Sequence, residues 1–215
     1  MSQPAPPRAY PNVRARLRLT LLHPALPVRR SDMEIWLKGT RFRVRDEAGR
    51  HVAEILDDLS APRGLGAPMR SLEGAMDIWA QSRDGRPAAA GTTELYGDRA
   101  TSEGWVRRGD QPPWPMPADA LASVAEQILA GEPDSRLQAQ GPVTRLGRKA
   151  TEYRGVLRGE DQAGPYACEV TRIVSPPYLL LNEVRNARNA EHARTTEIVA
   201  LDEGACADPD LTPGR

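Results

Sequence analysis

The sequence is poor in the residues that local catalytic and metal motifs require. It has three histidines among 215 residues, and they lie far apart at His23, His51 and His192. No HExxH pattern or Cys/His cluster is present for a metal, no GxSxG elbow for a serine nucleophile, and no GK[ST] loop for phosphate. A catalytic triad or a pair of carboxylates assembled in space remains an open alternative, because the members of such sites need not be close in sequence. The sequence therefore predicts a protein that is not an enzyme, with no catalytic residues, cofactor or metal.

Cysteine is also scarce. Only Cys168 and Cys206 occur, which is too few for a disulfide framework, and neither belongs to a CxxC pair. No base lies next to either cysteine in sequence, so neither is predicted to act as a nucleophile. Two free thiols are the favoured reading, and a single bridge between them is the alternative.

The chain has no excess of either charge, with 29 basic and 29 acidic residues. This balance argues against a nucleic-acid partner. The arginines are nevertheless concentrated near the start: Arg14, Arg16 and Arg18 belong to a region in which Asp32 and Glu34 are the only acids up to residue 45. These three arginines are either the solvated face of a strand or a docking surface for a protein partner.

Long apolar runs are absent. Residues 1–10 are rich in proline and lack the apolar core of a signal peptide, and no stretch approaches the ~20 apolar residues of a membrane helix. The expectation is a protein with no transmembrane segment, located in the cytoplasm, or in the periplasm if the start site is misassigned. The oligomeric state is left open.

The strongest pattern present is a two-residue alternation that begins at Val13. Apolar residues at 13, 15, 17, 19 and 21 alternate with Arg14, Arg16, Arg18 and Thr20. In an extended strand this period places the apolar side chains on one face and the polar ones on the other. The same alternation recurs at 42–45 and from 166 to 174, which is typical of an antiparallel sheet with one solvated face.

The chain divides into a proline-rich disordered lead at 1–12, a single domain at 13–202 and an acidic flexible tail at 203–215. Residues 33–46 predict a hairpin turning at Gly39, 51–56 a strand, and 143–201 a further set of strands. Two helices are expected, one after an N-cap at Ser71 that carries Trp79, and one over 118–130. In the second helix, apolar side chains recur at helical spacing and should pack on the sheet; they are Leu121, Val124, Ile128 and Leu129.

Three short motifs resemble those of the outer-membrane lipoprotein carrier superfamily, which includes periplasmic lipoprotein chaperones and anti-sigma-factor regulators. Residues 33–44 resemble its early hairpin "x-I-W-x-K-G-x-x-F-R-V", residues 96–107 its next strand pair, and residues 146–153 its "GR-x-A-x-x-Y" strand. The resemblance implies an α+β, mostly β fold: an unclosed antiparallel β half-barrel with two short lid helices. It also implies a concave face that receives lipid chains or a hydrophobic peptide.

Together these observations predict a non-enzymatic protein that holds a hydrophobic or lipid-like ligand, or a partner segment, in the concave face of a half-barrel. The alternative is a structural or regulatory interaction module with a self-filled core and the arginines 14, 16 and 18 as its docking face. Trp36 alternates against Ile35 and Leu37, so the hairpin register decides which face it occupies. The predicted ligand-binding residues are Leu19, Leu21, Trp36, Leu37, Phe42, Val44, Trp79 and Trp105.

Overall fold

The computed structural model describes residues 9–23, 26–47, 92–131, 134–161, 164–187 and 192–211. The predicted strand at 51–56 and the predicted helix after Ser71, with Trp79, lie outside these residues.

Most of the described chain is strand. One α-helix, α1, spans Ala118–Glu126, and a short 3-10 helix spans Asp208–Leu211. The eleven strands, numbered in chain order, are β1 Tyr10–His23, β2 Leu26–Gly39, β3 Arg41–Asp46, β4 Thr93–Asp98, β5 Glu103–Arg108, β6 Trp114–Pro115, β7 Gln138–Arg145, β8 Arg148–Asp161, β9 Gly164–Ser175, β10 Tyr178–Asn186 and β11 Ala193–Glu203.

All eleven strands form one antiparallel sheet in the order β6-β5-β4-β3-β2-β1-β11-β10-β9-β8-β7. Among the described strands, every two neighbours in the sheet are consecutive along the chain except β1 and β11, which join the first six strands to the last five. The strands β6 and β7 at the two ends do not pair with each other, so the sheet is unclosed. The predicted fold class, a mostly β chain in one unclosed antiparallel sheet, is confirmed.

The alternation in β1 places its apolar residues on the face of the sheet that carries α1, here called the helix face. Val13, Ala15 and Leu17 pair with Leu37, Ile35 and Met33 of β2, and all six side chains are buried. The next strand continues the pattern, since Leu37 lies opposite Phe42 and Ile35 opposite Val44. This apolar layer and the apolar side of α1 form the main core, to which β10 and β11 add Tyr178, Leu180 and Ile198.

The helix packs as its sequence pattern predicted. Leu121, Val124 and Ile128 have no exposed surface, and Leu129 packs against the core from its edge. Asp119 lies in the first turn, where the helix dipole favours a carboxylate.

The predicted end of the helix at 130 is wrong, because α1 ends at Glu126. Residues 128–130 instead bond to the start of β10: the Leu179 amide donates to the Ile128 carbonyl at 2.9 Å, and the Ala130 amide donates to the Pro177 carbonyl at 2.8 Å. These strand-like bonds replace the bonds that a longer helix would have made within itself.

The described residues depart from the predicted lead at 1–12 and the predicted tail at 203–215 where each adjoins the domain. Strand β1 already begins at Tyr10, whose side chain is buried and whose hydroxyl donates to Glu126 at 2.8 Å. Residues 204–211 pack on the face opposite the helix, where Cys206 and Leu211 are buried against Trp36. This segment is acidic in sequence, but it packs on the sheet because two of its apolar side chains, Cys206 and Leu211, contact the Trp36 ring.

Candidate functional site

The helix face has a second part beyond the main core. It lies where the C-terminal end of β1 pairs with β11, which in turn pairs with β10. The register of the strands places one cross-strand row of side chains there, which runs through Leu19, Thr196, Asn182, Arg172 and Tyr153. A second row, one step further along the strands, runs through Leu21, Arg194, Val184, Val170 and Gly155. We call these two rows the mixed surface, because both apolar and polar side chains contribute to it.

The mixed surface is less covered than the main core. Leu19 and Val170 are buried, whereas Leu21, Val184 and Tyr153 keep part of their surface exposed. Apolar groups on a sheet face that are only half covered are the kind of surface that binds an apolar ligand.

A small apolar cluster closes the far side of the mixed surface. Leu157, Cys168 and Val170 are buried there together with Leu137, which lies in the segment between α1 and β7. Gly155 makes this close approach possible, since a Cβ at that position would lie 2.7 Å from the Arg136 carbonyl oxygen. The chain after α1 therefore crosses the helix face and covers the β8 end of the surface.

The polar groups of the mixed surface are centred on Arg172. Its Nε donates to Asn182 Oδ1 at 3.1 Å, which orients the guanidinium along the first row. Asp134, in the covering segment, accepts hydrogen bonds from the Arg136 side chain and amide, and these bonds lower the pKa of Asp134 to about 2, with a smaller contribution from Arg172. A cation and an amide thus lie between apolar residues, an arrangement that suits an amphipathic molecule.

The predicted ligand-binding residues that the structure describes lie in three parts of the molecule: the mixed surface, the main core and the face opposite the helix. Leu19 and Leu21 lie in the mixed surface. Leu37, Phe42 and Val44 have no exposed area, because α1 and the neighbouring strands cover them. They belong to the protein's own core and cannot touch a ligand in this conformation.

The two described tryptophans of the predicted set lie on the opposite face. Trp36 pairs in register with Arg14 and Arg43, and Trp105 pairs with Tyr96, on which its ring stacks at a centroid distance of 5.9 Å. Trp36 and Leu37 therefore cannot line the same groove, since neighbouring residues of a strand point to opposite faces.

The arginines predicted as a docking face also lie opposite the helix, and they are paired with acids of β2. Arg14 and Arg16 donate to Glu34 at 3.0 and 3.3 Å, and Arg18 forms a two-bond pair with Asp32. All three guanidinium side chains remain 39–53% exposed. They are accessible to a partner, although their charge is largely balanced.

Sequence reasoning missed Asn182, Val184, Arg172 and Tyr153 as members of one surface. Alternation within β9 and β10 gave each residue a face but could not show that β10 lies beside β11 and, through it, beside β1. To find them from the sequence, one would have had to know that the first strand pairs with the last.

The described part of the chain contains no group of three or more His, Cys, Asp or Glu side chains placed to hold a metal ion. Cys168 and Cys206 are both buried and neither forms a disulfide bond, and burial raises the pKa of the Cys206 thiol. No described helix has the length and apolarity needed to cross a membrane.

No protein-family model matches the chain. No curated protein matches it either.

Solved structures match over most of the chain, at low identity. A LolA superfamily protein from Nitrosomonas europaea is 10% identical, with a TM-score of 0.35, and the match covers 95% of this chain and 92% of that one. LprF from Mycobacterium bovis is 12% identical, with a TM-score of 0.36 and coverages of 90% and 86%. MucB, solved in complex with MucA(peri), is 13% identical at a TM-score of 0.35, and 94% of this chain matches 54% of that chain.

Proposed function

We propose that this protein is a non-enzymatic binding protein that holds a hydrophobic ligand or partner segment on the mixed surface of its helix face. The observation that carries the proposal is the uneven cover of that face. The apolar side chains of β2–β5 that lie under α1 are buried, whereas Leu21, Val184 and Tyr153 remain partly exposed among the described residues. Covering these side chains with an apolar molecule would be favourable by about 25 cal/mol for each Å² of apolar surface removed from water.

The ligand class that fits is amphipathic. Leu21 and Val184 flank Arg194 in one row, and Arg172 with Asn182 lies in the adjacent row. An apolar chain lying along the second row would place a polar or anionic end within reach of the arginines. A purely aliphatic ligand would leave these cations without a partner from the ligand, which disfavours it relative to a fatty acid.

The test is a titration of the full chain with a fluorescent fatty acid, read from the emission of the probe itself. Probe emission is the suitable signal because it reports binding directly, whereas Trp36 and Trp105 lie on the opposite face and Trp114 packs on the main core. Saturable binding is expected, and Val184→Asp should weaken it about tenfold or more, because a carboxylate would stand in the second row, along which the apolar chain of the ligand is expected to lie. A matched control is Val156→Asp, which changes an exposed valine of β8 outside both rows.

A fluorescent alcohol of the same chain length separates the two parts of the proposal. The alcohol should bind more weakly than the acid, and Arg172→Gln should remove that difference. If neither probe binds saturably to the folded chain, or if both valine variants behave alike, the mixed surface is not a ligand site.

A further inference from the structure

The face opposite the helix carries a second feature that is independent of the proposed ligand site. Trp36 lies there between two guanidinium groups, with Arg14 Cζ 5.4 Å and Arg43 Cζ 5.2 Å from its ring centroid. Lys38 and Arg41 are opposite each other one row further along β2 and β3. We call Arg14, Trp36, Lys38, Arg41 and Arg43 the slot.

The slot is made by the sheet alone. Its five residues belong to β1, β2 and β3, and the cross-strand register fixes their spacing. Arg14 and Arg43 flank Trp36 in one cross-strand row, and their cation–π contacts orient the indole ring. The arrangement of the slot is therefore set by residues of the sheet and needs no residue from another segment.

Residues 204–211, here called the strap, fill the slot. Leu211 and Cys206 are buried on Trp36, and Asp208 accepts from Lys38 at 2.9 Å and from Arg41 at 2.8 Å. The strap's main chain also takes part, since Arg43 Nη1 donates to the Asp210 carbonyl oxygen at 3.1 Å. An apolar anchor, a carboxylate and a carbonyl are thus recognised by one aromatic ring and three cations.

The contacts between the strap and the sheet are of the kind that a short peptide makes with a protein surface. Its Asp208 carboxylate is 66% exposed, and exposed ion pairs of this kind contribute little to stability. Other contacts are the two buried side chains, a bond from the Cys206 thiol to the Val13 carbonyl oxygen at 2.8 Å, and bonds near the start of the strap, where the amides of Gly204 and Cys206 donate to Asn12.

A slot without its strap would present chemistry typical of a protein-binding site. Trp36 would be exposed beside Lys38 and Arg41, whose described carboxylate partner belongs to the strap. Tryptophan and arginine are the residues most often found where a few side chains carry most of the binding energy of an interface. Lys38 and Arg41 favour an acidic partner over a basic one, whereas Arg14 and Arg43 already pair with Glu34 and Glu94 of the sheet.

We propose that the slot is a recognition site for an acidic segment of a partner protein, and that the strap occupies it in cis as a competing ligand of the same chemistry. The partner segment carries a carboxylate for Lys38 and Arg41 and, about three residues later, a leucine-type side chain for Trp36. The spacing follows from Asp208 and Leu211 of the strap.

The experiment uses the full chain with the substitutions Asp208→Arg and Leu211→Asp, which remove the carboxylate and the apolar anchor of the strap together. The probe is a fluorescent peptide of residues 204–211 that carries Cys206→Ala. In the opened chain the Cys206 thiol should react rapidly with a thiol reagent, and the peptide should bind saturably. In the wild-type chain binding should be at least about tenfold weaker, because the tethered strap competes at a high effective concentration.

Charge reversal tests the slot itself. In the opened chain Arg41→Glu should weaken peptide binding about tenfold, and a peptide with Asp208→Lys should recover part of the loss. Arg45→Glu is the matched control, because Arg45 is the next outward arginine of β3 and makes no described contact with the strap.

Three results would overturn the proposal, provided that circular dichroism shows the sheet of the opened chain to be intact. The first is an opened chain that does not bind the peptide. The second is equal binding to the opened and wild-type chains. The third is a Cys206 thiol that stays unreactive in the opened chain, because the strap would then be held by something other than the slot. None of these results bears on the fatty-acid titration, so the two proposals fail separately.

Discussion

At the scale of single residues, the outward arginines are matched by acids on the strands between them. Strands β1, β3 and β5 supply the arginines, while β2 and β4 supply Glu34 and Glu94. Glu94 accepts from Arg43 at 2.9 Å and is in close contact with Arg107, and only 10% of its side chain is exposed. Burial alone would raise the pKa of Glu94, but the hydrogen bonds from the two arginines outweigh it and hold this pKa below its ordinary value of 4.5.

Glu94→Gln tests this arrangement through pH. A carboxylate whose pKa is lowered on folding stabilises the protein above its unfolded-state pKa, and the contribution is lost as the pH falls through the folded-state value. At pH 7 the variant should lose about 1–3 kcal/mol of unfolding free energy, because two partly buried arginines lose a charged acceptor. Below the lowered pKa of Glu94 the difference from wild type should shrink towards zero.

Urea unfolding of the two chains at a series of pH values measures the effect. Glu103→Gln is the control, because Glu103 is exposed and makes no described salt bridge, and it should change stability little at any pH. A loss in Glu94→Gln that is equal at pH 7 and pH 3 would contradict the assignment.

Gly97 is required by the packing of one aromatic ring. Phe42 lies opposite it in the β3–β4 pair, and a Cβ at Gly97 would lie 2.2 Å from Phe42 Cζ. Gly97→Ala is therefore expected to cost about 1–3 kcal/mol, since the ring has no exposed side into which it could move.

Thermal unfolding measures this cost, and Gly131→Ala is the control, because a Cβ there meets no atom within 4 Å. Phe42→Leu in the Gly97→Ala chain should make the two changes less than additive, because the smaller side chain leaves room for the methyl group. Strict additivity would show that the Phe42 ring is not the obstacle.

At the scale of elements, α1 is fixed to the sheet by its apolar side and by polar contacts at both of its ends, here called the clasp. Arg99, in the turn after β4, donates to Asp119 at 3.1 Å in the first turn of the helix and to Glu126 at 2.9 Å in the last. Tyr10 donates to the same Glu126 carboxylate, and burial together with this bond raises the pKa of the Tyr10 hydroxyl. The clasp connects the helix to the start of β1 and to the β4–β5 turn.

The apolar side of the helix should contribute most of the free energy that stabilises the packing of α1 on the sheet. Leu121 has no exposed surface and faces Gly104 of β5, so Leu121→Ala leaves a cavity that β5 cannot fill with a side chain. A loss of about 2–5 kcal/mol is expected in denaturant unfolding. Ser123→Ala, on the exposed side of the same helix, should stay within about 0.5 kcal/mol of wild type; an equal effect of both changes would show that α1 does not pack as described.

At the scale of the whole molecule, the pairing of β1 with β11 makes one sheet of two sequence halves. The paired residues Val13 and Glu203 are nearly the full length of the chain apart, and ten pairs connect the two strands. Contacts at such separations predict slow folding but a single cooperative unit, because neither half can complete its core without the other.

Two probes of unfolding should therefore coincide. All four tryptophans precede residue 115, so their emission reports the first half, whereas far-ultraviolet circular dichroism reports both. Urea transitions followed by the two signals should have the same midpoint, as a two-state transition requires. Val170→Ala, in the small cluster of the second half, should move both midpoints together; a shift of the dichroism signal alone would mean that the halves unfold separately.

Local periodicity was sufficient to predict much of this fold. The alternation from Val13 assigned the faces of β1, the turn at Gly39 gave the β2–β3 hairpin, and the helical spacing of Leu121 and Val124 assigned the buried side of α1. Each of these features depends on neighbours within a few residues, since the periods of strands and helices are local properties of the backbone.

Only the tertiary structure decided what each face meets. The helix covers Leu37 and Phe42 and removes them from any ligand surface, while β11 brings the second half of the chain beside Leu21. The strap lies on Trp36, although its composition predicted a flexible tail. These contacts join residues far apart in sequence, and they depend on complementary shape and charge that no local period encodes. The sequence by itself therefore determined which side chains share a face, and the packing of distant segments determined which of them remain open to a partner.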